Sequence, residues 1–172
     1  MQNPSRSTNL LLLSGILLVA VNLRPALASV GPLVEDIRLT TGLSNSQLGL
    51  LTTLPLIAFG VISTLTPLFT RRFGIGGTLL GAMALLALGA VIRSVPWLPS
   101  LYLGTILVGI AIAFGNVLLP SLTKRNFSSR SGFVTSLYSS AMGLGAALAA
   151  GISVPLATDL KLGWRGAFGV WS

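Results

Sequence analysis

The sequence contains no cysteine and no histidine, and it holds three acidic residues, Glu35, Asp36 and Asp159. The first two absences remove disulfides, thiolate and imidazole metal ligands, and the commonest general base. The carboxylates fall between apolar runs, so paired-carboxylate and metal-assisted catalysis lack their parts; an enzyme is not expected and no cofactor is implied. No glycine-rich phosphate loop follows a strand, which leaves ATP-driven chemistry unsupported. Charged residues of both signs make up 8% of the 172 residues.

What is present is apolar. Hydrophobic residues make up 52% of the chain and the mean hydropathy is +0.87, too little polar surface to solvate a compact globule. A lipid bilayer is the natural solvent. Many of the 20 glycines and 9 prolines lie inside apolar runs, which membrane helices tolerate. A lipid-embedded barrel would need alternating strands of about ten residues, and these runs are about twice that long. The net charge of +8 comes from 11 Lys and Arg placed mostly in ones and twos between the runs. That pattern belongs to loops held against anionic lipid, and no nucleic acid is expected as a partner.

The reading is therefore an all-α membrane protein. Runs long enough for about 30 Å of hydrocarbon occur at about 10–34, 46–69, 75–92, 98–122 and 133–157, and a sixth begins at 164–172. That makes five transmembrane helices plus an incomplete sixth, so the chain is expected to be part of a larger bundle. Arg6, the apolar stretch from Leu10 and Ala26-Leu27-Ala28 imitate a secretory signal, but Arg24 and Pro25 interrupt it and four more runs follow. Counting Lys and Arg in the loops with the N-terminus cytoplasmic gives six inside (Arg6, Arg71, Arg72, Lys124, Arg125, Arg130) and four outside (Arg38, Arg93, Lys161, Arg165). An inside N-terminus follows.

Arg24 is the one charge within a run. It lies fourteen residues past Leu10, about 21 Å along a helix and near the bilayer middle. A charge there costs at least about 2.5 kcal/mol, so it reads as a functional group facing the bundle interior. The alternative is that Gly31-Pro32 ends the helix early and Arg24 snorkels outward. Pro25 removes an N–H and clashes with the Val21 carbonyl, bending the helix beside the guanidinium. Asn22 places an amide at nearly the same depth. Asn116 follows Gly115 and precedes Pro120; it is either a site amide or interhelical glue. Tyr138, with Ser136, Ser139 and Ser140, supplies hydroxyls in the fifth run, and Thr52, Thr53 and Pro55 do so with a kink in the second. Gly143, Ala147 and Gly151 recur every fourth residue, as do Gly77 and Gly81, and predict faces for close helix approach.

The order and spacing of several stretches resemble the cyanate permease and nitroimidazole exporter family of the major facilitator superfamily. These are Asn22-Leu23-Arg24-Pro25, Leu50-Leu51-Thr52-Thr53-Leu54-Pro55, Arg71-Arg72-Phe73-Gly74, Gly115-Asn116-Val117-Leu118-Leu119-Pro120 followed by Lys124-Arg125, and Trp164-Arg165. The resemblance covers nearly the whole chain as the N-terminal half of a twelve-helix fold. It implies a multi-pass protein of the plasma (inner) membrane, a secondary transporter working by alternating access against a missing C-terminal six-helix half. One position departs: Arg71 stands where the superfamily usually has an Asp, leaving Arg71 and Arg72 as a basic pair at a cytoplasmic turn. A buried cation without a buried acid favours a small anionic or hydrogen-bond-accepting solute. Arg24, Asn22, Asn116 and Tyr138 are the candidate substrate residues; Arg71, Arg72 and Pro25 are candidates for gating or topology. The competing readings are a non-transporting membrane subunit or scaffold, in which Arg24 pairs with a partner's carboxylate, and an inactive transporter remnant.

Overall fold

The computed structural model describes residues 6–171; the end of the sixth expected helix, at Ser172, lies outside them. The described residues are helical almost throughout and include no strand. The order is α1 (Arg6–Leu23), a short α2 (Pro25–Ala28), α3 (Val30–Thr41), α4 (Asn45–Ser94), α5 (Leu98–Asn126), a 3-10 turn (Ser128–Arg130), α6 (Ser131–Thr158) and α7 (Gly163–Val170). Four stretches are long and apolar enough to cross a bilayer: Asn9–Thr41, Asn45–Ser94, Leu98–Asn126 and Ser128–Thr158.

The first stretch is bent and longer than the expected 10–34. Pro25 carries no N–H, so the Val21 carbonyl loses its helical donor and α1 stops at Leu23. Gly31-Pro32 does not end the stretch. Pro32 falls in the first turn of α3, where a missing N–H costs little, and termination waits for Gly42, left-handed at φ 69°, whose N–H bonds the Arg38 carbonyl. Arg24 thus lies fifteen residues from Asn9 and seventeen from Thr41.

α4 opens with a capping box: the Ser44 hydroxyl accepts from the Gln47 N–H, and Gln47 Oε1 accepts from the Ser44 N–H at 2.9 Å. The expected helices 46–69 and 75–92 are then joined without a loop. Gly74 turns the chain at φ 72°, ψ 168°, a region open essentially to glycine alone. The two arms run along α5 in opposite senses. On the 45–73 arm, Tyr102 Oη donates to the Gln47 carbonyl at 3.2 Å, and Phe69 meets Phe114 edge-on at 5.2 Å between centroids. On the 75–94 arm, Gly89 and Arg93 lie against Gly104.

α1, α5 and α6 enclose one core around Ile16, Leu23, Val108, Leu119 and Met142, and a second joins α3, the start of α5 and α7 around Leu33, Ile37, Leu101, Trp164 and Phe168. Glycine decides the closest approaches, though not where its spacing suggested. A Cβ on Gly143 or Gly151 would meet nothing within 4 Å, nor would one on Gly81, and Ala147 is exposed. At 100° per residue Gly145 points away from Gly143, and it is Gly145 that seats α6: a Cβ there would lie 2.7 Å from the Val21 carbonyl oxygen. Exposed Leu11, Leu56, Leu80, Phe133 and Leu144 give the outside the apolar surface that lipid requires.

Candidate functional site

Three helices weaken at one level of the bundle. α1 breaks at Arg24-Pro25, α4 carries Pro55 inside its first arm, and α5 carries Gly109 opposite it. A Cβ on Gly109 would stand 2.6 Å from Pro55 Cα, so only glycine lets these backbones approach so closely. Leu23 fills the notch at Gly115, where a Cβ would fall 2.5 Å from Leu23 Cδ2. That contact joins the residue before Arg24 to the residue before Asn116.

The result is a cavity of about 410 Å³ whose walls come from α2, α4, α5 and α6. Arg24 and Asn116 are the two polar side chains among its lining residues; Pro55, Phe59, Ile112 and Ala146 are among the apolar remainder. The Arg24 side chain is exposed to this space and has no ion pair or hydrogen bond among the described residues. The described ion pair lies elsewhere, between Glu35 and Arg38 at 2.8 Å. An unpaired guanidinium beside one amide, in an apolar chamber within the range of small-molecule pockets, can hold an anion or a planar pair of acceptor oxygens.

The other candidates are dispersed. Asn22 lines a separate cavity of about 310 Å³ with Val19, Met83 and Leu86, and its Nδ2 already donates to the Leu18 carbonyl at 2.7 Å. Tyr138 is buried in the α1–α5–α6 core. The Thr52 and Thr53 hydroxyls are spent on the Gly49 carbonyl. Pro25 is buried at the start of α2, and Arg71 and Arg72 project from the tip of the α4 hairpin, where Arg72 lies 5.5 Å from the Phe73 ring centroid. Of the four candidate substrate residues, the fold brings Arg24 and Asn116 into one chamber.

Arg93, counted above among outer-loop charges, is a correction. It is 1% exposed and is the largest fully buried side chain. α4 continues to Ser94, and the absence of side chains at Gly89 and Gly104 lets α5 close over it; a Cβ on Gly104 would lie 2.6 Å from Arg93 N. Its Nη1 donates to the Ala26 carbonyl at 2.8 Å, and its guanidinium carbon stands 3.8 Å from the Phe168 ring centroid. No local signal distinguishes it from a loop arginine, since Ser94-Val95-Pro96 follows at once.

The model of the Major Facilitator Superfamily matches residues 11–172. YycB of Bacillus subtilis (strain 168), described as an uncharacterised transporter, is 46% identical over 160 residues, covering 93% of this chain and 40% of that protein. The 2-nitroimidazole transporter of Escherichia coli (strain K12) is 44% identical over 163 residues, 95% of this chain and 41% of that protein. The cyanate transport protein CynX of the same organism is 33% identical over 138 residues, 77% of this chain and 36% of that protein. The chain thus spans about two fifths of the length of these relatives. No solved structure gives a significant match.

Proposed function

The chain belongs to the major facilitator superfamily, and from the chamber lined by Arg24 and Asn116 we propose that it supplies half of the substrate path of a secondary transporter for a small anionic or hydrogen-bond-accepting solute. The observation that carries this reading is Arg24, at the middle of a 33-residue apolar stretch and unpaired beside Asn116. A membrane protein carries so costly a charge when something must bind it. Cyanate and a nitro group both fit the chemistry: each offers concentrated negative charge or acceptor oxygens to a planar fork.

The second wall of the chamber would come from a further six-helix half, against which this one rocks in alternating access. The two arms of α4 raise four apolar stretches to five crossings, followed by α7. The N-terminus is cytoplasmic and the membrane is the inner membrane in this reading. Moving Arg93 out of the loops leaves six basic residues inside against three outside, Arg38, Lys161 and Arg165, which strengthens the charge bias.

The test is uptake and efflux of labelled cyanate or 2-nitroimidazole by the full-length protein in vesicles. Arg24→Ala should lower apparent affinity about ten- to hundredfold, the worth of one or two charge-assisted hydrogen bonds, with membrane insertion intact. Arg24→Lys should recover part of the affinity for cyanate and less for a nitro group, which uses the fork. Full activity of the Ala variant would remove Arg24 from the site.

A further inference from the structure

Arg93 is buried beyond what stability requires. Besides the Ala26 bond, its Nε and Nη2 have no hydrogen-bond partner among the described residues, and a buried cation with one neutral acceptor is seldom better than an apolar side chain of the same volume. Its place explains its retention. Ala26 lies in the four-residue α2, between Pro25 and Pro32, each of which removes one helical hydrogen bond, although Arg24 and Ser29 keep helical backbone angles and the Ser29 N–H still bonds the Pro25 carbonyl at 2.9 Å. The stretch is continuous there but weakened on both sides of Ala26, and contacts from outside it add to what sets the direction of α2. On one side Pro25 rests against Gly145 of α6; on the other Arg93 grips the Ala26 carbonyl, with its plane held against Phe168 of α7.

We infer that Arg93 is a positioning residue: by donating to the Ala26 carbonyl while its own guanidinium lies over the Phe168 ring, it sets where Arg24, two residues earlier, points into the chamber. The inference rests on the chamber reading above for its consequence in transport. Its geometric content can be measured without substrate.

The experiment uses the full-length protein made cysteine-free; residues 1–172 have no native Cys to replace. An Arg24→Cys variant is labelled with a small maleimide, with Arg93 intact and with Arg93→Met or Arg93→Lys. Phe59→Cys, on the α4 wall of the same chamber, is the control. Arg93→Met should change the labelling rate at residue 24 severalfold and leave residue 59 unchanged, while Arg93→Lys, whose ammonium can still donate to Ala26, should stay near the parent rate. In the parent with Arg24 present, Arg93→Met should raise the KM for transport about tenfold, the worth of one misplaced charge-assisted bond, with little loss of Vmax per folded molecule.

If Arg93→Met yields no folded protein, Phe168→Leu keeps the arginine but removes its stack, and should give a smaller change at residue 24 alone. An unchanged rate at residue 24, or equal changes at residues 24 and 59, overturns the inference by leaving Arg93 a packing residue. The two readings fail separately. A shifted rate at residue 24 with full transport by Arg24→Ala sinks the chamber reading and leaves the positioning role standing; the reverse pattern does the opposite.

Discussion

The seating of α6 on the broken first helix can be tested with one atom. In Gly145→Ala the new Cβ would stand 2.7 Å from the Val21 carbonyl oxygen and 3.4 Å from Pro25 Cγ. A carbon and a carbonyl oxygen rest comfortably at about 3.3 Å, so the helices must separate by about half an ångström there. The oxygen belongs to backbone and cannot rotate aside. Overpacking of this kind costs about 1–3 kcal/mol, against which alanine gains up to about 1 kcal/mol over glycine within a helix. Gly151→Ala is the matched control: same helix, same substitution, nothing within 4 Å, and so the propensity gain alone. The two variants should differ by about 1–3 kcal/mol, a five- to 150-fold difference in the folded equilibrium at 1.36 kcal/mol per tenfold. Thermal unfolding in detergent, followed by loss of monodispersity, should place Gly145→Ala about 2–10 °C below Gly151→Ala for a chain of this size. If Gly145→Ala unfolds at or above the temperature of Gly151→Ala, α6 does not rest on Val21 and the account of this contact is wrong.

Three further tests probe other positions. Gly74→Ala forces a side chain into a region that glycine alone enters freely and should cost about 1–3 kcal/mol, seen as lost monodisperse yield, whereas Gly76→Ala, with open space around it, should not; equal yields would mean the turn relaxes elsewhere. Asn116→Leu should weaken transport of a nitro solute by the full-length protein, while Asn22→Leu, whose amide is already bonded to its own helix, should leave affinity near the parent value. The opposite ranking of apparent KM would move the site to the smaller cavity. An Asn126→Cys variant, at the end of α5 next to Lys124 and Arg125, should resist an impermeant maleimide in intact cells and react in inside-out vesicles; labelling in intact cells would reverse the orientation.

The features legible in the sequence are those that local composition decides. Apolar length selects membrane helices residue by residue, and Pro25 removes a helical hydrogen bond whatever surrounds it. Arg24 could therefore be placed beside a break before any contact was known. Which face of a helix meets a neighbour is a different kind of information. The Gly143-Ala147-Gly151 stripe has the right period, yet α6 presents Gly145, because its rotation is chosen by where Pro25 and Val21 stand on another element. Tyr138 and Asn22 illustrate the same limit: depth along a helix set their height, while rotation sent one into the core and the other to a separate cavity.

Arg93 goes furthest beyond local reading. Its burial depends on Gly104 in α5 and on Phe168, which lies 75 residues later in the chain. Without that ring and without the gap left by Gly104, an arginine at the end of α4 would extend toward the interface as loop cations do. Arg24 and Arg93 are thus the same residue type in two different roles. The break at Pro25 leaves the Arg24 side chain open to the chamber with no partner among the described residues, and the carbonyl at Ala26, within the same short segment, receives a bond from Arg93. A charge that must hold a solute has to be left unsatisfied by its own protein, and a helix weakened by the missing N–H groups of Pro25 and Pro32 presents it in a more constant direction when a side chain from another element holds it.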